Sequence, residues 1–186
     1  MPRDEPRAGT VLVVDDEEDL AELYADYLAD RHEVRTAYGG EAALAALEPA
    51  LDVVLVDRRM PVVSGNEVVA AVEEADLDAR VALVTAVDPD FDIVDLGIDD
   101  YLNKPVTRDE LRETVERLLA INAYSDRVRE LSAKRVKRNV LTVEKAQTEL
   151  RHSDEFAQLS AEIDRLEDEV EAIEAGIDSG YLKRFI

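Results

Sequence analysis

The sequence predicts an α/β protein: a doubly wound, five-stranded parallel sheet over residues 10–122, then an all-α tail, a helical hairpin or coiled coil, over residues 123–186. Three observations carry this. Five strand-length apolar runs alternate with helix-patterned segments before residue 122, the order that successive β/α units produce. Those runs are almost free of polar alternation, as strands covered on both faces by crossover helices must be. Beyond residue 123 strand signals end, and glycine is absent until Gly176.

The elements follow in order. After a polar arm, residues 1–9, the first strand is Thr10 to Val14. Asp15 to Asp19 then suit the positive N-terminal end of a helix, and Leu20, Leu23, Tyr24, Tyr27 and Leu28 give that helix its apolar face up to Asp30-Arg31. His32 to Ala37 is a weaker alternating strand, and Gly39-Gly40 breaks the chain before a helix from Glu41 to Leu47. The third strand, Leu51 to Val56, runs into Asp57 and a turn marked by Pro61. Ser64-Gly65-Asn66-Glu67 has capping-box spacing, so a helix is expected from Gly65 to about Ala75. Arg80 to Thr85 is the fourth strand, a short acidic fourth helix is expected after Pro89, and Gly97 to Leu102 reads as the fifth strand. Thr107 to Glu110 is a second capping box, opening a helix with Leu111, Val115, Leu118 and Leu119 on one face.

In the tail, a helix from Tyr124 to about Arg138 and a short one over Val143 to Leu150 are expected. Phe156, Leu159, Ile163, Leu166, Val170, Ile173 and Ile177 follow at alternating spacings of three and four, a heptad seam with an acidic outer face. Such faces need a partner. An antiparallel hairpin within the chain and pairing with a second chain, as a homodimer, both satisfy them.

The chain has 44 Asp and Glu against 22 Lys and Arg, a net charge of −22. Residues 1–122 hold 30 of the acidic and 11 of the basic side chains, so nonspecific nucleic-acid binding by that part is disfavoured. Only five of the cations are Lys, and an acidic, lysine-poor surface resembles that of salt-in halophiles. At molar salt the Debye length falls to about 3 Å, which screens the self-repulsion. The absence of cysteine excludes disulfides and thiolate metal sites. No apolar run reaches membrane-spanning length and the N-terminus lacks a signal-peptide core, so a soluble, cytoplasmic protein without a membrane partner is expected.

Ligand chemistry in a doubly wound sheet lies beyond the carboxyl ends of the strands. Asp15, Asp16, Asp57, Thr85 and Lys104 all fall there. Converging carboxylates cannot all stay ionised without a cation, and an oxygen-only donor set favours Mg2+ over zinc. Asp57 would then be both ligand and nucleophile, since a carboxylate can take a phosphoryl group as an acyl phosphate. Lys104 and the Thr85 hydroxyl would offset charge on the transferred oxygens.

These residues sit in motifs, Val-Val-Asp15-Asp16-Glu17, Val-Asp57-x-x-Met60-Pro61 with Ser64-Gly65, Val-Thr85-Ala86, and Gly97-Ile-Asp-Asp-Tyr101-Leu-x-Lys104-Pro105. Together they resemble the flavodoxin-like receiver domain of two-component response regulators. The resemblance implies that Asp57 is the phosphoacceptor for a sensor histidine kinase, and that Asp16, Asp57 and the Arg59 carbonyl bind Mg2+ with Asp15 acting through water. It also implies a cis peptide before Pro105 and a switch in which Thr85 moves toward the phosphoryl group while Tyr101 turns inward. On this reading the protein catalyses only its own phosphorylation and dephosphorylation. Arg58-Arg59 departs from the family pattern, and Arg59, two residues past the acceptor, is placed to affect phosphoryl lifetime.

The tail is similar in texture and acidic composition to the HalX domain appended to haloarchaeal receivers. It would relay the receiver's state to an unknown downstream protein. Its basic run, Lys134-Arg135-Val136-Lys137-Arg138, leaves a DNA-binding transcription regulator as an alternative. A phosphatase of the haloacid dehalogenase type uses the same residue kinds but wants its Asp-x-Asp after the first strand.

Overall fold

A computed structural model describes residues 8–184, so residues 1–7 of the polar arm lie outside it. The described chain divides into two compact units, 1–122 and 123–186.

The first unit has strands β1 (Thr10–Val14), β2 (Glu33–Ala37), β3 (Val53–Val56), β4 (Arg80–Thr85) and β5 (Asp100–Asn103), all parallel in the order β2-β1-β3-β4-β5. Helices α1 (Glu18–Leu28), α2 (Gly40–Ala46) and α3 (Gly65–Glu74) and the start of α4 (Arg108–Glu144) alternate with them. This is the predicted doubly wound sheet. The period-2 geometry of strands sorts side chains to two cores. Val11, Val13, Val53, Leu55 and Val84 pack with Leu28 of α1 and Leu111, Val115 and Leu118 of α4. Leu12, Val14, Val54, Val56 and Leu83 pack on the other face with Ala43 of α2 and Val68, Val69 and Val72 of α3. Every residue of β3 is buried, which explains why its sequence shows no alternation.

Both capping boxes form. Glu67 N–H donates to the Ser64 hydroxyl while the Ser64 amide donates to the Glu67 carboxylate (2.8 Å). The Thr107 amide likewise donates to Glu110 (2.8 Å).

Four expectations are corrected. The segment after Pro89 is a single 3-10 turn, Phe91–Asp95, rather than a fourth helix; the Asp90 carboxylate accepts from the Phe91 amide and closes it locally. β5 lies three residues later at its start than the sequence suggested, at Asp100–Asn103, because the chain first turns through Ile98, whose amide donates to the Leu96 carbonyl. The helix expected from Tyr124 is not separate: α4 runs from Arg108 to Glu144 without a break, there being no glycine or proline within it to stop it. The short helix expected over Val143 to Leu150 is α5, Gln147–Arg151, set off by a break at Lys145 and Ala146.

The second unit comprises the later part of α4, α5 and α6 (Asp154–Arg184), folded as a hairpin. Leu131 of α4 packs with Ile163 and Leu166 of α6, with Leu159 and Val170 beside them. Lys134 pairs with Glu162 (2.7 Å) and Arg135 with Glu167 (2.6 Å), so the heptad seam finds its partner within the chain at these positions. The ends of the seam, Phe156 and Ile177, stay half-buried.

Candidate functional site

Register brings the strand tips together. Val14 pairs with Val56, and each is the last residue of its strand, so Asp15 and Asp57 emerge side by side. Val56 pairs with Leu83, placing Thr85 next to them, and Thr85 pairs with Asn103, which delivers Lys104. Backbone bonds extend the ladder into the loops: the Asp57 amide donates to the Val14 carbonyl (2.9 Å) and the Lys104 amide to the Thr85 carbonyl (2.9 Å). The peptide from Lys104 to Pro105 is cis.

Asp15, Asp16 and Asp57 each offer a carboxylate oxygen, all within 4.8 Å of one another; Asp15 and Asp57 are buried and Asp16 is exposed. A lysine faces two of them. Lys104 Nζ lies 2.6 Å from Asp15 Oδ2 and 3.8 Å from Asp57 Oδ1, with its side chain only 12% exposed. Two negative charges therefore remain uncompensated when all three are ionised, and the donors are oxygens only, a set that fits a hard divalent cation. Asp15 also accepts from the Glu17 amide (2.9 Å), closing the turn into α1.

Burial pushes the Asp57 carboxyl above the ordinary carboxylate range, with Asp15 adding to the rise. A hydrogen bond from the Thr85 hydroxyl, the ammonium of Lys104 and the Arg58 amide (2.9 Å) oppose it. With a raised native pKa, this group adds stability that is present at low pH and lost as pH rises through the native pKa. Asp57→Asn is therefore expected to be more stable than the wild type at pH 7 in chelator, by on the order of 1 kcal/mol, the scale of relieving an incompletely satisfied buried polar group. The gap should close toward pH 4, and urea unfolding at a series of pH values measures it. A gap that widens on acidification would show that Asp57 is stabilised, not penalised, by its surroundings.

Gly65 makes the loop behind Asp57 possible. A Cβ there would stand 2.2 Å from the Asp57 carbonyl oxygen and 2.8 Å from Arg58 Cα, both backbone. The Gly65 amide meanwhile donates to the Arg58 carbonyl (2.9 Å). Gly65→Ala must displace the backbone that carries Asp57, so a loss of about 2 kcal/mol is expected by thermal unfolding, with binding of divalent ions weakened in parallel. Retention of both would mean that the loop yields freely.

Tyr101 is half-buried against the core that contains Leu83, and its hydroxyl donates to the Val87 carbonyl, two residues past Thr85. Arg59 is exposed, whereas Arg58 is half-buried. Three contacts escaped sequence reasoning, one beside the site and two at the opposite end of the strands. Tyr24, read there only as apolar face, is buried and its hydroxyl is pushed up to about 12 by burial and then by Asp15, while it hydrogen-bonds the backbone of Val106. His32 is also buried: its Nδ1 accepts from the Gly9 amide (3.3 Å), and burial lowers its pKa. Asp52, a strand-start carboxylate in sequence, accepts from the Thr10 amide (2.8 Å) and ties β1 to β3 at the end away from the site. Nothing in a single sequence marks such contacts, because the hydrogen bonds of Tyr24, His32 and Asp52 each join segments more than 20 residues apart.

A parallel sheet in this order, with three carboxylates, a threonine and a lysine at adjoining tips, defines a receiver of the kind found in response regulators. The chain belongs to the response regulator receiver domain family, whose model matches residues 11–116, and residues 120–184 match the HalX domain. A Haloferax volcanii protein named "Putative transcriptional regulator" is 52% identical over 124 residues, 66% of this chain and 21% of that protein. The transcriptional regulatory protein DltR of Streptococcus agalactiae is 40% identical over 106 residues, 54% of this chain and 47% of its own. The chain thus spans between a fifth and a half of these relatives. Among solved structures, the response regulator TrrA of Thermotoga maritima in complex with Mg2+ and BeF is 35% identical with a TM-score of 0.53, over 60% of this chain and 99% of that one. Among the described residues no helix is long and apolar enough to cross a membrane.

Proposed function

We propose that residues 10–122 form a receiver in which Asp57 accepts a phosphoryl group from a sensor histidine kinase, and that residues 123–186 form the tail that passes the resulting state to a downstream protein. The juxtaposition of three carboxylates with a half-buried lysine supports this most directly. An Asp57 oxygen attacks phosphorus, the new P–O bond forms as the P–N bond to the donor imidazole breaks, and the electron pair leaves with that nitrogen. Lys104, within 3.8 Å of Asp57 Oδ1, offsets charge on the incoming group. The Thr85 hydroxyl, already on Asp57, can follow an oxygen of the phosphoryl group. Asp16, Asp57, the Arg59 carbonyl and, through water, Asp15 would hold Mg2+, which supplies charge neutralisation to the transfer.

The Thr85 and Tyr101 positions suit the switch role: Tyr101 is bonded to the loop that begins at Thr85, so movement of that hydroxyl bears on the ring. For the tail, a protein partner is favoured over DNA. Lys134 and Arg135, half of the cations in the basic run, are committed to Glu162 and Glu167, and phosphate binding needs free clustered cations. Self-phosphorylation and dephosphorylation are the only chemistry assigned to the chain.

Radiolabelled acetyl phosphate with Mg2+ at molar KCl should label the wild type, and Asp57→Asn should remain unlabelled. Equal labelling of that variant, or turnover of simple phosphate esters, would overturn the assignment.

A further inference from the structure

Two surfaces have no part in that scheme, one in each unit. The first is the 3-10 turn between β4 and β5. It holds Phe91 and Val94 three residues apart, 89% and 76% exposed. Side chains of this size lose favourable burial when left in water, and an apolar pair at this spacing forms the anchor of helix-in-groove recognition. Residues 88 to 96 carry four aspartates, at 88, 90, 92 and 95, and no basic residue.

The second surface is the tip of the helical hairpin. The end of α4, α5 and the start of α6 enclose a groove of about 710 Å3, floored by Val136, Val140, Leu141, Leu150, Phe156 and Leu159. Val136 and Val140 are largely exposed. Lys137 and Lys145 stand on its rim and form no ion pair among the described residues. Two carboxylates on the rim are already engaged at helix starts: Glu149 accepts from the Ala146 amide (3.1 Å) and Glu155 from the Ser153 hydroxyl (2.8 Å). Residues 134–151 hold six Lys and Arg against two Glu, in a chain of net charge −22.

We propose that the acidic turn 88–96 of one copy seats Phe91 and Val94 in the hairpin-tip groove of a second copy, with its carboxylates facing Lys137 and Lys145. Charge selects this occupant. The turn is wholly acidic where the rim offers unpaired cations, whereas groove against groove would set the rim lysines of both copies against each other. A groove of this volume takes a few side chains, as an anchor pair requires. Exchange in both directions closes a two-fold dimer without open ends. The contact rests on these two surfaces alone and does not require phosphorylation of Asp57.

Because the chain has no cysteine, single-cysteine variants report contacts without background. Full-length Val94→Cys and Val140→Cys, mixed in equal amounts at molar KCl and oxidised, should give the mixed disulfide dimer in about ten-fold excess over either like-with-like dimer, about five-fold beyond the statistical ratio of two, a preference near 1 kcal/mol. Introducing Phe91→Asp into the Val94→Cys chain should abolish the excess. All three positions are exposed, so the folds should survive, and circular dichroism checks this. Dominant like-with-like dimers, closure of a Val94→Cys/Val140→Cys double variant within one monomer, or a yield no greater than with the equally exposed Val62→Cys in place of Val94→Cys would each overturn the proposal.

Discussion

Lys104→Ala is expected to lose about 3 kcal/mol of receiver stability in chelator, and Mg2+ is expected to return most of it. The lysine is the cation that Asp15 and Asp57 share, at 2.6 and 3.8 Å, and its side chain is 12% exposed. Removing one partner of a buried ion pair costs about 3–5 kcal/mol because the other is left without compensation. The lower end applies because Asp57, already pushed toward its protonated form by burial, can take up a proton and shed part of the repulsion. A divalent ion supplies the missing charge by another route, so the variant should gain more from Mg2+ than the wild type does. Urea unfolding at molar KCl, with EDTA and with Mg2+, measures both quantities. A loss below about 1 kcal/mol with no extra gain from Mg2+ would mean that the carboxylates are adequately solvated without either cation.

Leu166→Ala should cost about 3 kcal/mol, and the loss should fall on the tail alone. Leu166 is fully buried, but among the described residues the cluster that buries it contains two other buried residues, Leu131 and Ile163. A core so small has few neighbours, Leu159 and Val170, to fill the cavity. The ion pairs beside it, such as that of Arg135 with Glu167, are exposed and contribute little. Hydrogen exchange should show α6 amides losing protection while those of β1, β3 and β4 keep theirs. Loss of protection in both units together would show that they unfold as one.

The sheet was legible because burial on both faces writes itself into β1, β3 and β4 as unbroken apolar runs. β5 was less so, and its start was misplaced, because Asp100 and Tyr101 at the sheet edge are only half-buried and offer no such run. The segment after Pro89 was misread as a helix because two of its apolar residues, Phe91 and Val94, are exposed, where periodicity reports nothing about burial. The division at residue 123 agrees with the two compact units, but the helix start expected at Tyr124 was misplaced: a change of composition does not stop a helix, and nothing within α4 does.

The sequence by itself determined that four candidate residues end strands: Asp15, Asp57, Thr85 and Lys104 each follow or close a strand-like run. It determined the capping boxes at Ser64 and Thr107, whose partners lie three residues away. Tertiary structure decided what those residues do to one another. Only the register of Val14 with Val56 and of Thr85 with Asn103 sets one lysine against three carboxylates. Only the approach of Gly65 to the Asp57 carbonyl shows why that glycine is there. Local hydrogen bonds and periodicity are properties of neighbours in sequence, whereas ion pairs and steric limits depend on distances that folding alone creates.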